Sequence, residues 1–125
     1  MHICRTYFNI TSEEVIDVNL ISNELNIDKN DIEVNKNLNS INIGTCIEYD
    51  ININNMLRNT LSTLFNKVEV LIKLKEKYNF TFYLERVVEI DINSNEPTPI
   101  LGLDSDIIAF LHQTNTIDDI DYYIV

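Results

Sequence analysis

The sequence predicts an α+β fold in which helices lie on one face of a mixed or antiparallel sheet. Three observations lead there. Long segments alternate apolar and polar residues with period two, which marks strands with one packed and one wet face. Segments with apolar residues every three or four positions lie between them. The 125 residues suffice for one domain with its own core, and no linker or internal repeat divides residues 1–125.

The first strand is expected at 2–10, with Cys4, Thr6, Phe8 and Ile10 on one face. A helix follows, read from Thr11 as N-cap, Glu14 completing a capping box and Ile10 with Val15 as a hydrophobic staple. Ile16, Leu20 and Ile21 form its apolar stripe, and Leu25–Asn26 marks its end. A polar, turn-rich stretch then carries a short strand at 32–35.

Residues 41–53 alternate strictly: Ile41, Ile43, Ile47, Tyr49, Ile51 and Ile53 share one parity, and Asn42, Glu48, Asp50 and Asn52 the other. One half-buried strand is expected over that length. Leu57, Leu61, Leu64, Val68, Leu71 and Ile72 give 54–78 a helical period. A single helix there would run about 37 Å at 1.5 Å per residue. That is long for a small domain, so two helices are expected to break near Asn66, with Asn66 and Glu69 forming the second cap.

Strand 80–92 has Phe80, Phe82, Leu84, Val88, Ile90 and Ile92 on one face, with Arg86 among them. Asp104 or Ser105 caps a helix bearing Ile107, Ile108 and Leu111, and "TIDDIDYYIV" closes the sheet with Ile120, Tyr122 and Ile124 inward. The order β-α-(β)β-α-α-β-α-β fits a ferredoxin-like split βαβ core plus a C-terminal αβ unit.

Composition narrows the function classes. A net charge of −11 opposes non-specific nucleic-acid binding and docking on anionic membranes. Residues 1–55 carry −6, 56–79 carry +3 and 80–125 carry −8, so a basic protein is the partner that charge would attract. Ile (20) and Asn (18) dominate over Gly (2), as in proteins encoded by AT-rich DNA, and a phosphate-cradling glycine loop has no material to form. Two cysteines make neither a disulfide framework nor a zinc site, and the opening residues lack a secretory pattern. A reducing cytoplasm is the expected compartment, and no cofactor or metal is expected.

"DININN" from Asp50 and "DINSNE" from Asp91 superficially resemble calcium loops. Positions six and twelve, where an EF-hand requires Gly and Glu, hold Asn55 and Leu61 in the first, and Glu96 and Gly102 in the second. His2 and His112 have no ligand at metal spacing, and His112 suits a helix C-terminus. Lys67, Lys73, Lys75 and Lys77 read as one solvated helix face.

Arg86 stands out because a guanidinium on an apolar strand face needs relief. A bulge turning it outward or a stem snorkelling to the rim is the common solution. An inward ion pair, or an anion-binding Arg in a pocket, is the other. Asp119 and Asp121 lie on one strand face about 7 Å apart, two strand rises. That spacing suits a cation or an acid pair, but matches equally the solvated face of a strand. Arg86, Asp119 and Asp121 are thus the candidate ligand-binding residues, with no catalytic constellation anywhere in the chain.

"RTYFNIT", "ISNELNID", "LIKLKEKYN" and above all "PTPILGLDSDIIAFLHQTNTIDDIDYYIV" resemble the bacterial family called domain of unknown function 4279. In that family's closing pattern a proline-led segment precedes a helix with Phe-Leu and an Ile-Asp-rich strand. The resemblance is concentrated in residues 54–125; residues 28–40 depart from it, and the chain has no Trp. It implies no reaction and no catalytic residues. The leading expectation is a non-enzymatic protein-binding module, immunity-like in blocking a basic partner by charge complementarity. The alternatives are an anion-binding or enzymatic domain at Arg86 and the acids, and a homodimer built on strand 41–53 or the last strand.

Overall fold

Five strands form one sheet, in the spatial order Ile32–Val34, Ser40–Glu48, Ile3–Thr11, Thr81–Ile90 and Ile117–Ile124. The computed structural model describes residues 1–49, 52–99 and 101–125. The strands are β1 (Ile3–Thr11), β2 (Ile32–Val34), β3 (Ser40–Glu48), β4 (Thr81–Ile90) and β5 (Ile117–Ile124). The helices are α1 (Val18–Leu25), α2 (Ile53–Leu61), α3 (Val68–Tyr78) and α4 (Ser105–Thr114). β1 is antiparallel to β3 and β4, β2 is antiparallel to β3, and β5 adds to β4 in parallel through the α4 crossover. The first four strands have the ferredoxin-like order, and the α4–β5 unit extends it.

Alternation sets which face is covered. Cys4, Phe8, Ile10, Phe82, Leu84 and Val88 are fully buried beneath the helices, together with Leu57, Leu61 and Leu64 of the α2 segment and Leu71 of α3. Phe8 lies between Phe82 and Phe110, with ring centroids 5.3 and 6.2 Å away, and Phe65 meets Phe110 edge-on. Tilted and edge-to-face pairs are the favoured aromatic geometries. Thr6 and Thr60 share a hydroxyl–hydroxyl bond of 2.7 Å in this core, so neither polar group is stranded.

Three helices end on an asparagine in the left-handed conformation: Asn26 (φ 54°), Asn79 (φ 57°) and Asn115 (φ 50°). In a chain with two glycines, Asn is the remaining residue that tolerates this region readily.

The capping box at Thr11 and Glu14 does not form. Thr11 belongs to β1, the Ser12 and Ile16 N–H groups donate to Asn39 and Leu38 carbonyls, and Val15 is exposed. Residues 12–16 thus run alongside the chain before β3. The helix starts six residues later, where the Asp17 carboxylate accepts from the Asn19 and Leu20 N–H groups.

The 41–53 alternation also breaks. β1 and β3 lose register between Thr6 and Phe8, where β3 carries one extra residue at Gly44, whose φ is +71°. Beyond this bulge the parity inverts. Cys46 turns toward the core, Ile47 and Tyr49 are more than half exposed, and Ile53 is buried in the first turn of α2 instead. Asp50 and Ile51, including the start of "DININN", lie outside the described residues.

The helical pair divides as expected, but the N-cap of α3 is Lys67, with no side-chain cap bond, so Asn66 is not the capping residue. The Asp104 carboxylate at the start of α4 goes to Arg58 rather than to its own helix. Arg58 also holds Asp106 in a bidentate pair, which raises the Arg58 pKa and lowers that of Asp106.

Candidate functional site

The open face of the sheet is the surface no helix covers. It carries the odd-numbered residues of β1, β4 and β5, because the even-numbered ones of β1 and β4 fill the core. Across its middle run Tyr7, Glu85 and Asp119 in adjacent strands, set by the pairings of Tyr7 with Glu85 and of Glu85 with Asp119.

At the β4–β5 side, Glu85, Asp119 and Asp121 each bring a carboxylate oxygen within 4.8 Å of the others. The pairing, not the sequence spacing, creates the cluster: two residues of one strand meet one of its parallel neighbour. Burial and the neighbouring Asp119 carboxyl push the Glu85 pKa up to about 7. Burial and the same acids also raise the Tyr7 phenol, against a lowering effect from Arg5, which lies 5.6 Å above the Tyr7 ring.

Toward β3 the face becomes a concave polar basin of about 430 Å³, lined by Tyr7, Asn9 and Tyr83 with Arg5, Glu33 and Glu85 as its charged groups. Asn9 is held rigid there. Its amide donates to Ser40 Oγ at 2.7 Å and Asn42 Oδ1 at 2.8 Å, and its carbonyl accepts from Thr11.

Arg86 is on the other face. It takes the inward ion pair, not the bulge or the snorkelling stem that strand statistics favour: it is 2% exposed, and its Nε and Nη2 donate to Asp118 at 3.1 and 2.6 Å. Nη1 donates to the Leu101 carbonyl at 2.7 Å, which pins the loop before α4. An outside carboxylate or phosphate would have to displace Asp118. The structure therefore brings Asp119 and Asp121 together with Glu85, and separates both from Arg86 by the thickness of the sheet. Strand parity puts Glu85 on the wet face but gives no reason to join it to the acids; only the β4–β5 register does.

Other groups are committed to structure. His2 is buried, its Nδ1 accepting from the Asp91 N–H at 3.1 Å and its Nε2 facing the Glu96 carbonyl. His112 sits exposed in the last turn of α4, as its helix position implies. Burial pushes the Cys4 thiol up to about 11, far from a reactive thiolate. Lys75 leaves the lysine face: it donates to the Asn115 carbonyl, lies 5.1 Å from the Phe82 ring, and has its pKa lowered by burial.

The three carboxylates can accept a cation, whether a guanidinium, an ammonium or a divalent ion, since each offers unshared oxygens on one open face. Without one, they repel. The consequence for stability has a definite sign: the folded state binds the Glu85 proton more tightly, so stability falls as pH rises from the ordinary carboxylate range to about 7. Glu85→Gln is expected to raise stability at pH 8 by on the order of 1 kcal/mol, discounted for the solvent-screened face, with little change at pH 4. Urea midpoints of both proteins at the two pH values check this.

No family model, curated protein or solved structure matches the chain. No helix among the described residues is long and apolar enough to cross a membrane.

Proposed function

We propose that the protein is a non-enzymatic binding module that captures a basic protein on the open face of its sheet. The observation that carries this reading is the Glu85–Asp119–Asp121 cluster, in which the fold forces three carboxylates together and no Arg or Lys among the described residues is ion-paired with them, Arg5 of the same face lying over the Tyr7 ring instead. An Arg or Lys from a partner would relieve that repulsion and return the Glu85 proton to solvent. Part of the binding energy is thus already stored as repulsion in the free protein. Tyr7 and Tyr83 beside the cluster add amphipathic contact area of the kind interfaces favour.

An immunity-like role, in which the acidic face covers a basic toxin or nuclease, is the specific form we favour, and a cytoplasmic setting goes with it. The resemblance of residues 54–125 to the 4279 family belongs to the same proposal and brings no reaction with it. The acids are poorly placed for catalysis, since the titratable groups around them are one another, Tyr7 and Arg5 rather than a base–nucleophile pair.

The experiment is affinity capture from an extract of the source organism, with the wild type and the Glu85→Gln/Asp119→Asn/Asp121→Asn variant compared at low and high salt. A stoichiometric basic protein, retained by the wild type at low salt and lost by the variant, is the expected result. Retention of the same protein by the variant, or capture of acidic proteins only, sinks the proposal.

A further inference from the structure

β5 is the terminal strand of the sheet, and its outer edge has no neighbour among the described residues. The direction of its free backbone groups follows from two hydrogen bonds. Val125 N–H donates to the Ile90 carbonyl at 2.9 Å, and its carbonyl accepts from Ile92 N–H at 3.3 Å. Both polar groups of Val125 therefore point at β4. With a strand period of two, Asp119, Asp121 and Tyr123 do the same, and Ile120, Tyr122 and Ile124 aim theirs at the free edge.

The side chains of those three residues lie on the helix side of the sheet; Ile120 is half-buried there, and the helix layer stops short of Tyr122 and Ile124. Tyr122 is 56% and Ile124 74% exposed, against the expectation that they pack inward. An edge strand with free backbone groups and an apolar stripe above it is a surface prepared for another strand.

We infer that this edge pairs with the same edge of a second copy of the chain, antiparallel across a two-fold axis at Tyr122. Hydrogen bonding requires that outward-pointing residues face outward-pointing residues, so the axis must pass through a residue position and not between two. Charge then selects among the positions. An axis at Asp119, Ile120 or Asp121 sets aspartate directly opposite aspartate, which is repulsive, and an axis at Tyr123 avoids that but leaves Ile120 outside the paired apolar stripe.

The axis at Tyr122 sets Ile120 against Ile124 of the second copy, Tyr122 against itself, Asp121 against Tyr123 and Asp119 against Val125. No acid meets an acid, and the Ile-Tyr-Ile stripe meets itself. The result is a ten-stranded sheet with its two acidic clusters on one continuous open face. A strand from an unrelated protein has no such reason to match both the stripe and the acid positions.

Two copies of a chain of charge −11 repel, so the dimer should tighten as salt rises, opposite to the salt response of a basic partner on the open face. The two proposals thus fail separately. Sedimentation equilibrium of the purified chain across a concentration series is expected to show twice the 14.6 kDa chain mass, more so at high salt. Tyr122→Pro, which removes an outward N–H at an edge where proline is tolerated, is expected to give the monomer mass with unchanged circular dichroism.

The register has its own test. In a Cys46→Ser background, Tyr122→Cys should cross-link to its own copy under mild oxidation, since facing residues of a hydrogen-bonded pair lie about 5.5 Å apart. Ile120→Cys should not. A wild type that stays monomeric at high salt overturns the inference, and so does an Ile120→Cys cross-link without one at Tyr122→Cys.

Discussion

Alanine at Gly44 is expected to destabilise the protein by about 4 kcal/mol, at the upper end of single-residue effects. Two costs combine at this position. With φ at +71°, any side chain strains the backbone by roughly 1–2 kcal/mol. A Cβ there would also stand 2.1 Å from the Thr60 carbonyl oxygen and 3.0 Å from its Cα, and both are helix backbone that cannot rotate away. α2 must lift off the sheet, opening the buried Thr6–Thr60 contact and the leucines beside it. Gly102→Ala supplies the control, because nothing lies within 4 Å of a Cβ at that site. Urea denaturation of both variants measures the difference, and a Gly44→Ala loss no larger than that of Gly102→Ala contradicts the close approach.

Asp118→Ala is expected to cost about 3 kcal/mol, because it leaves the Arg86 guanidinium buried without its carboxylate. Arg86→Met should cost less, about 2 kcal/mol, since the Asp118 side chain is 30% exposed and water can solvate what the guanidinium releases. The asymmetry is the informative part. A charge stranded at 3% exposure is worse than one stranded at 30%. The double variant Arg86→Met/Asp118→Ala should lose clearly less than the two single losses added together. Equal single losses that add without coupling would falsify the structural pair. Chemical-shift mapping of the Leu101 loop adds a second readout, since Arg86→Met removes the donor to that carbonyl and Asp118→Ala does not.

Most of the architecture was legible because the strands that bury one face obey a strict period. β1 and β4 keep it over their whole length, and the pairing of Phe8 with Leu84 and of Ile10 with Phe82 follows from matching two such faces. The departures have local causes. Gly44 sits inside an otherwise regular alternation, which is itself a bulge signal, and the inversion of Ile47 and Tyr49 could have been drawn from it. Thr11 with Glu14 and Asp17 alone are rival caps; tertiary bonds to Leu38 and Asn39 decide for Asp17, and no local rule contains them.

For β5 the period is right, but of the three residues expected inward only Ile120 is half-covered, while Tyr122 and Ile124 are bare. Parity shows which residues share a face but not whether anything covers it, and an edge strand can leave its apolar face bare. The site was half legible for the same reason. Asp119 and Asp121 were visible as neighbours along one strand, whereas Glu85 joins them only through a parallel register fixed by the α4 crossover. Arg86 was visible as an anomaly, yet its partner Asp118, one residue before the acids that drew attention, belongs to the opposite face.

The asparagines that end α1, α3 and α4 have a further consequence in the chemical ageing of the protein. Asn is among the thermolabile residues, and hydrolysis of its side-chain amide, which consumes a water and releases ammonia, turns a neutral group into the carboxylate of Asp. At Asn26, Asn79 and Asn115 that new charge would appear at a helix C-terminus, where the macrodipole already places negative potential. The residue type that lets a glycine-poor chain stop its helices thus also places potential sites of heat damage at the ends of three of them.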